Sequence, residues 1–424
     1  MATDSAGESG GSRAGGEGRR IIWVNRFFHP DESATSIMLT DLVRELAASL
    51  AGPEHRVIAS NAHYAGEQAG AAAPVPGVPV HRIPALGRGN ASLLLRLVNF
   101  ALFYGGALLL LLRHARRGDV IVALTDPPLI GTVAALAARL KRARLVHWVQ
   151  DIFPETASQL GFARPGGLLE RALVTLRDAA WRRADASVVI GQRMRQFVLD
   201  HGAAPARVTV IQNWAGEGAI HPVAAADNPL RRAWGYAPGD CVIGYSGNLG
   251  RAHEVASKIA AMATLRERGP DSLRFLFIGG GARQAELRQA AGEWAEPFLA
   301  FRPYQPMAML AESLSVPDVH WISLLPRLEG LIVPSKLYGA LAAGRPVVFV
   351  GDPAGEVARL VAEGECGASF APGDAEALAD YLALLAGDPA LRLRLGANSR
   401  AFAETAASRA GRLAQWRGAL ADLA

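Results

Sequence analysis

Short apolar segments that alternate with helical segments are the feature that most restricts how this chain can fold. Runs rich in Val, Ile and Leu recur along the first half, at 20–25, 56–60, 119–124, 145–149, 187–190 and 208–212. Stretches with helical periodicity separate them. Continuous apolar strands joined by helices are typical of a parallel sheet that is covered on both faces. The first half is therefore predicted to be a doubly wound α/β unit.

A second series of the same kind begins after a looser segment, 215–229. Its predicted strands are 241–245, 274–278, 298–301, 320–324, 347–350 and 368–370. The sequence thus predicts an α/β protein with two Rossmann-like units that face a central cleft, where ligands bind outside the carboxyl ends of the strands. The boundaries that we expect are a disordered tail at 1–19, a first domain at 20–214, a second domain at 215–400, and a C-terminal helix at 401–424 that packs back toward the first domain.

Composition excludes several classes of protein. Lys+Arg 44 against Asp+Glu 39 gives a net charge of only +5 over 424 residues. No basic stripe is interleaved with aromatic residues, so we expect no nucleic-acid partner. Cys241 and Cys366 are too few for a disulfide framework or a zinc site, which indicates a reducing compartment. No group of His, Cys, Asp and Glu has metal-ligand spacing, so we expect no metal and no cofactor.

One segment, 93–112, is apolar over about the length that spans a bilayer. It contains Arg96, Asn99 and a Gly105-Gly106 pair, and it lies where an α/β unit needs a crossover helix. A spanning helix remains open, because Arg96 could reach one interface. We favour a buried or membrane-touching helix, in peripheral contact with the cytoplasmic membrane. The irregular segment 66–79 is predicted to be a surface insert.

The stretch 329–346 carries the first candidate site. Pro334 stops the preceding segment, Ser335 is a suitable N-cap, and a short helix is expected to begin there with Lys336 in its first turn. Backbone N–H groups, the helix dipole and an ammonium group would then converge, as a diphosphate leaving group requires. The alternative is a capped surface helix with a solvated lysine.

Two glycine turns follow predicted strands of the second unit. The first contains Gly247, Asn248 and Arg251, and the second contains Gly279 and Gly280. At the first turn, glycine lets the backbone approach a phosphate, and Arg251 can hold it with two parallel hydrogen bonds. The second turn could pass close to a base or a ribose. The alternative is a pair of tight turns with a solvated arginine.

Polar residues also end two strands of the first unit. Asp126 follows one strand, and Gln150, Asp151 and Glu155 follow the next. They are predicted to bind an acceptor or to place a carboxylate near a reacting carbon. The alternative is that Asp151 caps the next segment and Glu155 is solvated. His147, in the middle of an apolar strand, is interpreted as a satisfied core histidine.

These motifs together resemble the family-4 glycosyltransferases of the GT-B fold. The resemblance rests on the Tyr-Ser-Gly-Asn-Leu-Gly-Arg turn at 245–251, on 278–281, on the Glu-Gly to Gly-Arg-Pro stretch at 329–346, and on Cys366-Gly with Pro372-Gly-Asp. The chain looks most like the branch that builds bacterial surface polysaccharides, where a Gln-Asp-x-x-Pro-Glu segment like 150–155 accompanies a Val-Pro-Ser-Lys helix.

The resemblance implies a retaining, metal-independent hexosyltransferase at the inner face of the cell membrane. It would move a sugar from a nucleoside diphosphate sugar to a lipid-linked or oligosaccharide acceptor. The first domain would bind the acceptor, Arg251 and Lys336 carry over as diphosphate contacts, and Glu329 carries over as a donor-sugar contact. Beside the resemblance, we expect Asp151 to act with Glu329 on the charge that develops at the sugar. The other candidates come from the turns and strand ends: Gly247, Asn248, Gly279, Gly280 and Ser335 for the donor, and Asp126, Gln150, Glu155, Ser33 and Thr35 for the acceptor.

Three departures from the family pattern stand out. Gly339 occupies the position of a glutamate that usually contacts the ribose. A common Gly-Gly loop after the first strand is replaced by 29–35. The lysine expected after the first glycine turn of the second domain has no clear match, because His253-Glu254 stand there and Lys258 comes a turn later. Two other functions stay open: a nucleotide-sugar epimerase on the same fold, and a catalytically inactive, membrane-associated scaffold.

Overall fold

The structure, a computed structural model, describes residues 19–49, 52–61, 75–87, 93–216, 220–292, 294 and 296–423. All but the last residue of the predicted tail, and most of the predicted insert at 66–79, lie outside the described residues.

The first unit is built on a seven-stranded parallel sheet. Its strands are β1 (Arg20–Val24), β2 (Glu54–Ser60), β3 (Val80–Ile83), β4 (Val120–Ala123), β5 (Arg144–Val149), β6 (Ala186–Val189) and β7 (Val208–Val210). They lie in the order β3-β2-β1-β4-β5-β6-β7. Edge strand β3 was not predicted. It is only four residues long and mostly half-buried, so it lacks the apolar run of the central strands.

In the part of the first unit that the structure describes, the helices are α1 (Ala34–Ser49), α2 (Leu93–His114), α3 (Ile130–Lys141), α4 (Glu155–Gln159), α5 (Leu168–Arg183) and α6 (Gln192–Asp200), besides a 3₁₀ turn at Pro205–Arg207. Helix α1 lies on one face of the sheet, and α2 and α3 cover the other. In α2, Phe103, Ala107 and Leu111 are buried against that face. Among the described residues, α2 is the one helix long and apolar enough to cross a membrane, by length and composition alone.

The second unit is a six-stranded parallel sheet. Its strands are β8 (Cys241–Ser246), β9 (Leu273–Ile278), β10 (Leu299–Arg302), β11 (Val319–Ser323), β12 (Val347–Val350) and β13 (Gly367–Phe370). They lie in the order β10-β9-β8-β11-β12-β13. The prediction of two doubly wound units is confirmed.

The remaining helices are α7 (Pro229–Ala233), α8 (Ala256–Arg268), α9 (Gln284–Ala291), α10 (Leu310–Ser315), α11 (Lys336–Ala342), α12 (Glu356–Glu363), α13 (Ala375–Gly387), α14 (Pro389–Glu404) and α15 (Arg409–Ala421), with 3₁₀ turns at Met307–Met309 and Pro326–Leu328. The helical periodicity of the last stretch, 388–424, predicts that Leu393 of α14 is buried, which is wrong: its side chain is 74% exposed. It lies on the outer face of α14, whereas Leu395 packs into the second core.

The last helix returns to the first unit. Trp416 of α15 is fully buried beside Trp148, with ring centroids 4.7 Å apart. Arg409 donates to both carboxylate oxygens of Asp41 at 2.8 and 3.0 Å. Because α14 still packs on the second unit, the chain crosses over at 405–408, a few residues beyond the expected boundary at 401.

The two units meet along the segments that carry the predicted motifs. Asp151 forms an isolated antiparallel bridge with Ile332, and the Ile152 N–H donates to the Leu331 carbonyl at 2.9 Å. Glu356 of the second unit accepts from the Gln192 N–H at 2.8 Å. The Gln-Asp-x-x-Pro-Glu segment is therefore paired in space with the stretch that begins at Glu329.

Candidate active site

Lys336 enters the cleft along a glycine. It is the first residue of α11, and a β-carbon at Gly247 would lie only 2.7 Å from the Lys336 Cε. Gly247 also has a φ of +122°, which side chains rarely tolerate. Glycine at 247 is therefore needed both for the turn and for the path of the lysine side chain.

A neutral histidine faces the Lys336 ammonium. The ring Nδ1 of His253 lies 2.6 Å from the Ser323 carbonyl oxygen, so Nδ1 carries the proton and Nε2 offers its lone pair. Lys336 Nζ lies 3.4 Å from that Nε2. Burial, with Lys336 next, lowers the pKa of His253 to about 3. Burial lowers the pKa of Lys336 to about 8, so its ammonium is predominantly charged at neutral pH.

Lys258 lies behind this site. It is fully buried, and its Nζ donates to the Trp321 carbonyl at 2.8 Å. The Tyr245 ring lies between the two lysines, 4.9 Å from Lys258 Nζ and 5.4 Å from Lys336 Nζ. Burial lowers the pKa of Lys258 well below its ordinary value. Lys258 thus supports the aromatic floor of the site and does not reach the cleft.

The two glycine turns touch each other. A β-carbon at Gly279 would lie 2.5 Å from the Gly247 carbonyl oxygen and 2.9 Å from the Tyr304 ring. Gly280 lies beside the same ring, and the Tyr245 hydroxyl donates to the Asn248 carbonyl at 2.7 Å. The turns therefore form one continuous backbone surface with Tyr304, a residue that the sequence reasoning missed.

Arg251 extends from the first turn toward the other unit. Its guanidinium lies 4.9 Å from the centroid of the Phe162 ring, which belongs to the first unit. Arg251 is exposed and therefore accessible to a ligand. No local sequence pattern marks Phe162, because its contact joins residues far apart in the chain.

Ser335 does not act as predicted. It precedes α11 with helical backbone angles, φ −62° and ψ −18°, and its side chain makes no capping hydrogen bond. The N-cap role requires an extended backbone at that residue, which the preceding Pro334 turn does not provide. The prediction that the Ser335 side chain caps the helix is wrong, although Ser335 still lies beside Lys336.

Glu329 lies at the start of α12. Its Oε1 accepts from the Glu356 N–H at 2.8 Å, and burial raises its pKa. A β-carbon at Gly355 would lie 2.5 Å from Glu329 Oε2, so the carboxylate packs tightly against this turn. Gly339 has no side chain, and a β-carbon at this position would lie 3.3 Å from Leu314. No side chain at 339 serves the ribose.

Asp151 of the first unit lies where its segment pairs with the segment that follows Glu329. It follows β5 and bridges to Ile332, three residues from Glu329. Burial, with the nearby Asp126 as a second cause, raises the pKa of Asp151 to about 7. Asp126 itself is paired with Arg26, whose Nε lies 3.1 Å from Asp126 Oδ1. Asp151 therefore lies where the backbones of the two motifs pair, whereas the Asp126 carboxylate forms an ion pair with Arg26.

Gln150 and Glu155, two predicted acceptor residues, use their polar groups inside the first unit. Gln150 is buried and exchanges two amide hydrogen bonds with Asn213, at 3.0 and 2.8 Å. Glu155 forms an ion pair with the buried Arg177. The alternative that Glu155 is solvated is therefore wrong, because its carboxylate is paired with Arg177.

The other predicted acceptor residues lie at the start of α1. The Ser33 N–H donates to Asp31 Oδ1 at 2.8 Å, so Asp31 caps this turn. Thr35 lies half-buried in the first turn of the helix. Nothing in their contacts assigns them to a ligand.

His147 differs from the expectation of a satisfied core histidine. It is buried and one ring nitrogen bonds to the Ala180 backbone, but Nε2 has no hydrogen-bond partner. His147 and Asp151 line the same cavity of about 30 Å³. Burial lowers the pKa of His147 to about 4, so it is neutral. Among the residues that the structure describes, no three or more His, Cys, Asp or Glu are grouped so as to hold a metal.

Two family models match the two units separately. Residues 37–214 match the glycosyl transferase 4-like domain, and residues 240–388 match the glycosyl transferases group 1. The chain belongs to the glycosyltransferases. The family expected from the motifs is thus confirmed, and both lobes of the cleft belong to it.

Two curated relatives of this glycosyltransferase come from bacteria. The probable glycosyltransferase WbjE of Pseudomonas aeruginosa is 30% identical over 63% of this chain and 66% of its own length, just under two thirds. The putative colanic acid biosynthesis glycosyl transferase WcaI of Escherichia coli is 25% identical over 80% of this chain and 85% of its length.

Solved structures confirm the GT-B fold of the glycosyltransferase. Anabaena HepE, solved in complex with UDP, has a TM-score of 0.69 at 17% identity and covers 95% of this chain and 100% of its own. The sucrose-phosphate synthase of Thermosynechococcus elongatus has a TM-score of 0.72 at 19% identity, over 96% and 99%.

Proposed function

We propose that this glycosyltransferase moves a sugar from a nucleoside diphosphate sugar to a lipid-linked glycan acceptor, with retention of anomeric configuration and without a metal. The observation that carries this proposal is the half-buried Lys336 ammonium, which Gly247 admits to the cleft beside the two glycine turns. A partly desolvated cation beside glycine turns, which let a ligand approach the backbone closely, suits a diphosphate. The name of WcaI, a putative colanic acid biosynthesis glycosyl transferase, supports polysaccharide biosynthesis as the setting.

In the proposed reaction, Lys336 and Arg251 bind the departing diphosphate. The bond between the anomeric carbon and the phosphate oxygen breaks, and the acceptor hydroxyl oxygen forms the new bond on the same face of the sugar. The hydroxyl proton passes to the departing phosphate oxygen. Asp151 and Glu329 supply negative charge beside the sugar ring as positive charge develops there. No protein nucleophile is required.

The donor-binding role is argued from the second unit. The joined surface of Gly247, Gly279 and Tyr304 offers backbone groups and an aromatic face to a nucleotide. Because Gly339 supplies no carboxylate, we propose that backbone groups of these turns hold the ribose. HepE was solved with UDP and with UDP-glucose, so UDP-sugars are the first donors to test.

The place of action follows from the acceptor. A lipid-linked acceptor stays at a membrane surface, and the exposed leucines of α2 give this chain an apolar face. We propose a cytoplasmic protein that contacts the inner face of the cell membrane through α2, with the 93–112 segment lying on the membrane and not across it.

The test combines binding and transfer. UDP-, GDP- and ADP-sugars are screened for protection against heat, since a ligand at 100 times its Kd stabilises by ~2.7 kcal/mol. The protecting donor is then incubated with membrane lipid extracts, and the product's anomeric configuration is determined by NMR. We expect nucleotide release coupled to a retained glycoside. An epimer formed without transfer would support an epimerase instead, and no nucleotide binding would support an inactive scaffold.

A further inference from the structure

The loop before α5 and the first turn of α5 expose large apolar side chains. Phe162 is 64% exposed, Leu168 is 85% exposed and Leu169 is 72% exposed. Arg164 and Arg171, both exposed, flank these residues in sequence. We call residues 162–171 the α5 tip. Exposing such large apolar side chains to water costs free energy, and a partner that covers them would remove that cost.

Helices beside the α5 tip also expose apolar side chains. Helix α5 packs on α3, and α3 packs on α2. These neighbours also expose leucines outward: Leu94, Leu97 and Leu109 on α2, and Leu136 and Leu140 on α3. Helix α2 is the apolar helix already proposed to touch the membrane. Exposed leucines therefore occur on all three of these neighbouring helices.

The α5 tip also lies at the mouth of the cleft. Phe162 stacks on Arg251 of the second unit at 4.9 Å. Just before it, the Gln159 carbonyl accepts from Arg327 Nε of the second unit at 2.9 Å. A surface that covers the α5 tip would thus lie directly beside the proposed diphosphate contact.

We propose that the α5 tip enters the interfacial layer of a bilayer that contains anionic phospholipids. Phe162, Leu168 and Leu169 insert among the acyl chains, while Arg164 and Arg171 bind lipid phosphates. The one nearby acid, Glu170, accepts from the Gly166 N–H and is held within the turn. This inference extends the proposed lipid-linked acceptor, because it sets the cleft mouth against the membrane from which such an acceptor is taken.

Charge favours a membrane over a protein partner. The α5 tip itself carries Arg164 and Arg171, both exposed, in the same short stretch as its apolar side chains. Basic residues beside an apolar surface match the negative surface of an anionic bilayer. Aromatic and leucine side chains beside arginine are the composition of an interfacial anchor.

Vesicle co-sedimentation of the full chain tests the proposal. The vesicles are phosphatidylcholine alone, or an equal mixture with phosphatidylglycerol. The variants are Leu168→Ser with Leu169→Ser, and Arg164→Gln with Arg171→Gln. The matched control is Leu393→Ser with Arg394→Gln, on the exposed face of α14 in the second unit, where Leu393 is 74% exposed. Leu94→Ser with Leu97→Ser reports on α2, and melting temperatures verify that each variant is folded.

We expect the leucine pair at the α5 tip to lower the partition coefficient about tenfold on mixed vesicles. The arginine pair should lower it on mixed vesicles only, and the control should match the parent. Parental binding by the Leu168 and Leu169 variant would overturn the proposal, including when the α2 variant alone loses binding. Loss of concentration-dependent self-association in that variant, with vesicle binding unchanged, would assign the face to a second copy instead. Binding requires neither donor nor transfer, so its failure leaves the proposed reaction standing.

Discussion

The two walls of the cleft differ in whether their charged side chains form ion pairs. On the second unit, Lys336 lies half-buried beside a neutral histidine and Arg251 lies exposed over an aromatic ring, so neither cation is paired with a carboxylate in the contacts described for it. On the first unit, Glu155 is paired with Arg177, and Asp126 with Arg26. Cations without a counterion suit an anionic ligand, whereas paired charges mainly hold their own unit together.

The largest expected effect tests the donor side of this comparison. Lys336→Ala removes the half-buried ammonium that we expect to stabilise the leaving diphosphate. By analogy with the loss of one oxyanion donor, kcat/KM should fall about 100-fold or more, with most of the loss in kcat. Initial rates of nucleotide release measure it. A parental rate would remove Lys336 from the mechanism.

The next effect tests whether Gly247 makes room for that lysine. In Gly247→Ala the new β-carbon would lie 2.7 Å from Lys336 Cε, at a φ of +122°. We expect kcat/KM to fall about tenfold or more, because the new methyl group would displace the lysine side chain and strain the turn. Gly250→Ala is the matched control, because the nearest heavy atom to its β-carbon is Asn248 Nδ2 at 3.6 Å, an ordinary contact. Equal losses in both variants would mean that the turn is merely intolerant of side chains.

The pH dependence of transfer tests the charge on Lys336. Burial holds its pKa near 8 in the folded protein, below the ordinary lysine value. Activity that needs the ammonium should therefore be full at pH 7 and fall about tenfold by pH 9. The stability of the folded protein should change in the opposite direction. Because folding lowers the pKa of Lys336, its charged form costs folding free energy at low pH. Stability therefore rises as the pH passes from about 8 to the pKa of lysine in the unfolded chain. In Lys336→Arg, the alkaline limb should move beyond the measured range.

The same contrast explains what sequence could foretell. Gly247, Arg251 and Lys336 stand in short motifs whose glycines and helix start limit the local backbone, so their place in the cleft follows from a few neighbouring residues. Phe162 and Tyr304 complete the site through partners distant in the chain, and no local pattern marks them. Leu393 shows the same limit for burial, since helical periodicity alone does not say which face a neighbouring helix will cover.

First-unit residues were harder to interpret for a related reason. The motif containing Gln150 and Glu155 suggested acceptor contacts, yet Asn213 and Arg177 satisfy both side chains from 63 and 22 residues away. A polar residue at the carboxyl end of a strand can face a ligand or complete a buried pair, and only the tertiary contact decides. Asp151 is the exception, because its pairing with Ile332 keeps it at the junction of both motifs.

The smallest expected effect on activity tests that interpretation of Glu155. Glu155→Gln leaves the guanidinium of Arg177, whose side chain is 6% exposed, with Asp178 as its remaining carboxylate. We expect the free energy of unfolding to fall by about 1–3 kcal/mol in urea denaturation, while KM for the acceptor stays within about twofold. Glu376→Gln is the control: its pair with Arg268 is mostly exposed, at 73% and 54%, and such pairs contribute little. A tenfold rise in acceptor KM with unchanged stability would instead return Glu155 to the acceptor site, and the two cleft walls would then differ only in the sign of the charge they present.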